Sequence, residues 1–321
     1  MNGVIDYNEL RVLEQQQAEA ERTDGVPFPY FVGLSNLARE LLPMGAGRPL
    51  EDVWIDWRVH LAVTDTYREQ PELFPGFDEV IGLNHVLDRL QGGGVILTLH
   101  YGDYRHTSQV IASAVRTADP RASLALVVDE DSYRNEIDLP KWNRFREEMG
   151  CELFVAESEQ VGLKLVRHLR AGGWLVVYLD GGKGVGVDPS PVSLRFLTST
   201  IEVRSGLFRM LASLGKPVIP MLAERTDEQR TRLVFHEPVF INGRDLTAGV
   251  DACYDRFRQP LARFPEFWRF WFRHNQQVRA WAPSPEQNGA EPTLSWVCRD
   301  VTPPLAVDMA TGALYRLPEA Q

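Results

Sequence analysis

The stretch Gly92–Val110, GGGVILTLHYGDYRHTSQV, decides how the chain is read. Val95 to Leu99 is an unbroken apolar run of strand length between a glycine cluster and the turn at Gly102, the pattern of a parallel strand buried on both faces. His100 follows directly. Open α/β sheets bind ligands in the crevice outside the carboxyl ends of their strands, so this imidazole is expected at the ligand-facing edge. Beyond Gly102, Thr107 to Val115 has helical spacing, and the amides and dipole of that helix would point toward the same crevice.

Working outward, residues 91–241 alternate strand-like and helical runs. The strand-like runs are Val95–Leu99, Leu124–Val128, Glu152–Val155, Leu175–Leu179, Pro217–Ala223 and Arg232–Phe235. Helical spacing appears over Trp142–Met149, Gln160–Arg170 and Ser205–Leu214, with Gly150, Gly172 and Gly215 just beyond, where helix C-caps belong. This is the signature of βαβ units, and it predicts an α/β fold with a central, mostly parallel sheet flanked by helices. Residues 1–90 read as a helical N-terminal region without strand alternation. Residues 91–281 form the α/β core. Residues 282–321 read as a small C-terminal extension, with a loop over Pro283–Pro292 and a hairpin around Thr311 and Gly312.

Composition narrows the function classes. The chain has 321 residues, 44% of them hydrophobic, which suits a soluble globular protein. No apolar run reaches the roughly 20 residues needed to span a bilayer, and the first residues lack a signal-peptide core, so a cytoplasmic protein is expected. A net charge of −10 argues against nucleic acid as a general partner. Three widely spaced cysteines, Cys151, Cys253 and Cys298, suit buried reduced thiols rather than a disulfide framework. His106, His168 and His236 lack metal-ligand spacing, and no metal is expected.

A neutral imidazole can take the proton of a hydroxyl or amine as that group attacks a carbonyl, and an acid on its other ring nitrogen fixes the tautomer. Asp103 is the nearest acid, at a spacing that at a helix start brings two side chains to one face. Asp180 and Glu202 are more distant candidates. No Ser or Cys stands beside His100 as a nucleophile, so direct transfer is expected.

GGGVILTLHYGDYR resembles the first block of the lysophospholipid acyltransferase superfamily and, within it, the lipid A biosynthesis (lauroyl/myristoyl) acyltransferase group, in which a hydrophobic strand precedes His-x-Gly-Asn-Trp-Glu. His100 and Gly102 match, Asp103 stands for Asn, Tyr104 for Trp, and Arg105 for the acid. YLDGG from Tyr178 to Gly182 is similar to the second block. Phe196, Gly206, Ala212, Gly215, Pro217, Val218 and Pro220 match a third in spacing, and YDRFRQPLARFPEFWRFWFRHN is similar to the closing block. The four blocks fall in family order over about residues 54 to 275.

The resemblance implies an acyltransferase that moves an acyl group from a thioester, on coenzyme A or the phosphopantetheine of an acyl carrier protein, to a hydroxyl or amine without a metal or bound cofactor. His100 is then the general base. With Arg105 at the family's acid position, three arrangements stand: Asp103 orients the base, the histidine works without a local acid, or activity is altered. Asp103 is assigned beside His100 as catalytic, and Gly102, Tyr104, Arg105, Asp180, Gly181 and Arg204 as substrate-binding. Backbone amides near Gly102 or Gly181 are candidates for the oxyanion site. Lys183, Arg195 and Arg204 are candidates for the pantetheine-side phosphates.

The Arg/aromatic segment 254–281 serves core packing first, acyl carrier docking second and peripheral membrane contact third. The expected acceptor is a soluble small molecule. A noncatalytic acyl- or carrier-binding protein of the same fold and a thioester hydrolase are the alternatives.

Overall fold

A computed structural model describes residues 5–45, 47–136, 147, 150–226, 230–283, 292 and 294–318. The chain opens with helices α1 (Tyr7–Asp24), α2 (Phe28–Leu41) and α3 (Leu50–Glu69). There follow β1 (Glu79–Ile81), α4 (Asn84–Leu87), β2 (Gly94–Thr98), α5 (Thr107–Ala118), β3 (Leu124–Val128) and α6 (Glu130–Glu136). Next come β4 (Glu152–Val155), α7 (Val161–Arg170), β5 (Trp174–Tyr178), β6 (Val192–Arg195), β7 (Thr200–Val203) and α8 (Gly206–Leu214). The chain continues through β8 (Pro217–Arg225), β9 (Thr231–Phe235), β10 (Val239–Phe240) and α9 (Leu246–Arg263). It closes with β11 (Val278–Ala280), β12 (Leu294–Cys298), β13 (Leu305–Asp308) and β14 (Leu314–Arg316).

Two compact units result, each discontinuous in sequence: Met1–Phe74 with Arg195–Glu202 and Pro260–Gln321, and Pro75–Leu194 with Val203–Gln259. The second unit holds an eight-stranded sheet in the order β1-β9-β8-β2-β5-β3-β4, with β10 paired to β8. The pairs β8/β2, β2/β5, β5/β3 and β3/β4 are all parallel, while β9 and β10 run antiparallel to β8. Every residue of β2 is buried, as an apolar run without alternation requires of a strand covered on both faces. Its Ile96 joins Ile111, Val115, Leu126, Trp174, Val176, Ile219 and Met221 in one core.

In the first unit α1 and α3 are joined by a buried guanidinium: Arg58 donates to Glu21 Oε2 at 2.6 Å and to Glu14 Oε2 at 2.7 Å. Its C-terminal strands form an antiparallel sheet, β12-β13-β14, whose β13–β14 turn carries Thr311 and Gly312, where a hairpin is expected from sequence. The aromatic part of the Arg-rich segment is packed inside this unit. Trp268 and Trp271 are buried, Phe196 stacks on Trp268 and His274, Arg269 reaches Asp65, and Arg273 lies over Phe270.

One local expectation changes. β1 falls within the stretch read as mostly helical. It is a three-residue, exposed strand paired, among the described residues, with β9 alone, too short to show a period. β6 and β7 are also four-residue strands without a separate sequence signal. Trp142–Met149, expected to be helical, lies outside the described residues except for position 147, and the loop over Pro283–Pro292 lies largely outside them.

Candidate functional site

The parallel register of β2 and β5 builds the site. Thr98 pairs with Tyr178, so His100 and Asp180, each two residues beyond its strand's end, emerge side by side at the carboxyl edge. At that point the chain turns sharply. Tyr101 N donates to Leu99 O at 2.8 Å, a three-residue turn that swings the imidazole off the strand axis. Asp180 sits in a short 3-10 turn, Leu179–Gly181, and its carboxylate is 3% exposed.

That carboxylate grips His100 twice. Asp180 Oδ2 accepts the His100 backbone N–H at 2.8 Å, and Oδ1 lies 2.7 Å from the ring Nδ1. A carboxylate is an acceptor only, so Nδ1 carries the proton and the neutral ring keeps its lone pair on Nε2. The His100 side chain is 19% exposed. Two phenol rings pack on adjacent sides of the imidazole, 5.9 Å from each other. Tyr178 lies at a centroid distance of 4.5 Å and Tyr104 at 4.8 Å.

Asp103 points elsewhere. Both of its oxygens accept from Arg225 Nη2, at 2.8 and 2.9 Å, and both side chains are buried. Burial pushes the Asp103 carboxyl up to about 7. The local spacing argument for Asp103 as the orienting acid fails because Gly102 intervenes. Gly102 has φ +56°, and a Cβ there would stand 1.8 Å from Ala223 O, so the turn needs glycine and directs the next side chain to β8.

The other sequence candidates separate in the same way. Tyr104 is buried against His100, and the Arg105 guanidinium lies 5.3 Å from the Tyr104 ring centroid. Gly181 faces open space, with nothing within 4 Å of where a Cβ would stand. Arg204 holds a loop, donating to Val185 O at 2.8 Å and Gly186 O at 3.0 Å, while Asp188 accepts from Ser205 N at the start of α8. Glu202 pairs with Arg279.

Three cysteines, Cys151, Cys253 and Cys298, are buried free thiols. Among the described residues no three His, Cys, Asp or Glu side chains group as a metal site, and no helix is long and apolar enough to cross a membrane. A groove of about 770 Å³ opens at the opposite, amino end of β2 and β8, lined by Asp88, Gly92, Asp119, Lys216 and Phe240 among others. Its position sets it apart from His100.

The sequence pattern gives no site role to Tyr178, Thr107 or Arg225. For Asp180 a signal was present: the runs that become β2 and β5 each follow glycines and end at a His or an Asp followed by a turn, the same offset on two strands. Compared with known proteins, the chain matches no protein-family model and no curated sequence. The α/β architecture, a central mostly parallel sheet flanked by helices, is compatible with acyl-transfer enzymes in general.

Proposed function

We propose that the protein is an acyltransferase that passes an acyl group from a thioester of coenzyme A or acyl carrier protein to a hydroxyl or amine, with His100 as general base and Asp180 as its orienting acid. The observation that carries this reading is the contact of Asp180 with both the backbone and the Nδ1 of His100 at the carboxyl edge of a parallel sheet. It supplies the acid that the sequence lacks at Arg105. The four sequence blocks in family order, from GGGVILTLHYGDYR onward, give the thioester its place in the reading.

In the proposed reaction His100 Nε2 takes the acceptor's proton as its oxygen or nitrogen attacks the thioester carbonyl. Asp180 stabilises the imidazolium that forms without itself taking the proton. The tetrahedral oxyanion is held by backbone amides near Gly181 or Gly102. When the intermediate collapses, the C–S bond breaks, the new ester or amide remains, and the thiolate recovers the proton from Nε2. The loop held by Arg204 follows Asp180 directly and is the proposed neighbour of the pantetheine arm.

Incubation of the protein with acyl-CoA or acyl carrier protein and a panel of soluble alcohols and amines, followed by intact-mass analysis, tests the reading. A new ester or amide with loss of thioester is expected, abolished by His100→Ala. Turnover without acceptor identifies a hydrolase instead, and saturable binding without turnover identifies a binding protein.

A further inference from the structure

We infer that Tyr178 is a positioning residue for His100: its ring is the floor on which the imidazole is held in the plane where Asp180 meets Nδ1. This rests on the reading of His100 as the base. The two ring centroids are 4.5 Å apart with planes 37° from parallel, and Tyr104 lies edge-on to the imidazole at 4.8 Å and 66°, on an adjacent side, 5.9 Å from Tyr178. The floor is itself fixed. Tyr178 is the last residue of β5, paired in register with Thr98, and its hydroxyl lies 2.9 Å from Tyr104 O and 3.1 Å from Thr107 Oγ1. Thr107 donates to the same Tyr104 carbonyl at 2.8 Å, so one carbonyl gathers two hydroxyls and ties the two tyrosines together.

The arrangement has a chemical consequence. An aromatic face attracts a cation, so the ring favours the imidazolium over the neutral imidazole at the moment His100 accepts a proton. Burial raises the Tyr178 phenol well above its ordinary range, so the hydroxyl stays a neutral hydrogen-bond partner wherever His100 titrates. Asp180 sets the direction of the imidazole N–H, and Tyr178 sets the tilt of its ring. Both come from the end of one strand, separated by Leu179.

The test compares wild type, Tyr178→Phe and Tyr178→Leu by NMR titration of the His100 ring protons and by the pH dependence of kcat and KM. Tyr178→Leu is expected to lower the His100 pKa by about half a unit or more and kcat by about tenfold, with KM within about twofold. Tyr178→Phe keeps the face and is expected to restore the wild-type titration. An unchanged titration in Tyr178→Leu, or an equal loss in Tyr178→Phe, overturns the inference. Should Tyr178→Leu fail to fold, the ring-current shift decides: His100 ring protons are expected upfield in wild type and in Tyr178→Phe, and unshifted signals refute the stacking. Absence of any acyl transfer in wild type removes the functional reading, while the titrations still decide the positioning.

Discussion

Asp180→Asn isolates the orienting acid with the smallest change of shape. The native carboxylate accepts from the His100 backbone N–H and from Nδ1. An asparagine keeps one acceptor oxygen, and the backbone N–H retains it. The NH2 group then faces Nδ1 and, being a donor, requires that nitrogen to be unprotonated. The ring proton moves to Nε2. The base is thereby lost at the nitrogen where the acceptor's proton must go, so kcat should fall by about 10²–10⁴-fold, or roughly 3–5 kcal/mol of transition-state stabilisation. KM should change little, because the substrate is held by other groups. Stability should fall by only about 1–2 kcal/mol, since one of the two hydrogen bonds persists. Thioester consumption and product mass, measured beside Asp103→Asn, decide the matter. Activity within about threefold of wild type in Asp180→Asn, with Asp103→Asn the inactive variant, would refute the reasoning.

Other consequences follow from the same geometry. Arg105→Glu puts an acid where the resembling family has one, but Asp180 already occupies Nδ1, so kcat in the otherwise wild-type protein should stay within about threefold by the same assay. Asp103→Ala removes the carboxylate paired with the buried Arg225 guanidinium and should cost about 3–5 kcal/mol in chemical denaturation, most of it recovered when Arg225→Met is added. Gly102→Ala forces a Cβ onto Ala223 O at a left-handed φ and should cost about 3 kcal/mol or more by the same measurement. In the first unit, Glu40 accepts from His274, Thr198 and Ser199, which holds its carboxyl down at about 2. A carboxyl depressed on folding stabilises fully above its unfolded value and loses that contribution as pH falls from about 4.5 toward 2, here about 3 kcal/mol. Glu40→Gln should therefore flatten the dependence of unfolding free energy on pH across that window, which denaturant titration at several pH values measures.

The sheet was legible because its central strands carry unbroken apolar runs between glycines, and Val95–Leu99 and Leu175–Leu179 lie within one residue of the observed β2 and β5. β1 was not, since three exposed residues paired with β9 leave no pattern to read. His100 was found because it interrupts an apolar run at a turn. Closeness in sequence favours Asp103 as its partner over the more distant candidates Asp180 and Glu202, but Gly102, with its left-handed backbone, turns Asp103 to Arg225. Asp180 lies 80 residues along the chain from His100, and only the register between two parallel strands brings it across. Arg204 stood where expected, just before a helix start, but its guanidinium is spent on loop carbonyls that sequence does not reveal.

The central claim is that Asp180 holds His100 as a neutral base with its proton on Nδ1, and ¹⁵N NMR of the His100 ring in the unliganded protein above the imidazole's titration tests it most directly. A protonated Nδ1 and an unprotonated Nε2 are expected in wild type, with the pattern reversed in Asp180→Asn. A proton on Nε2 in the wild-type protein, or a tautomer indifferent to Asp180→Asn, contradicts the account.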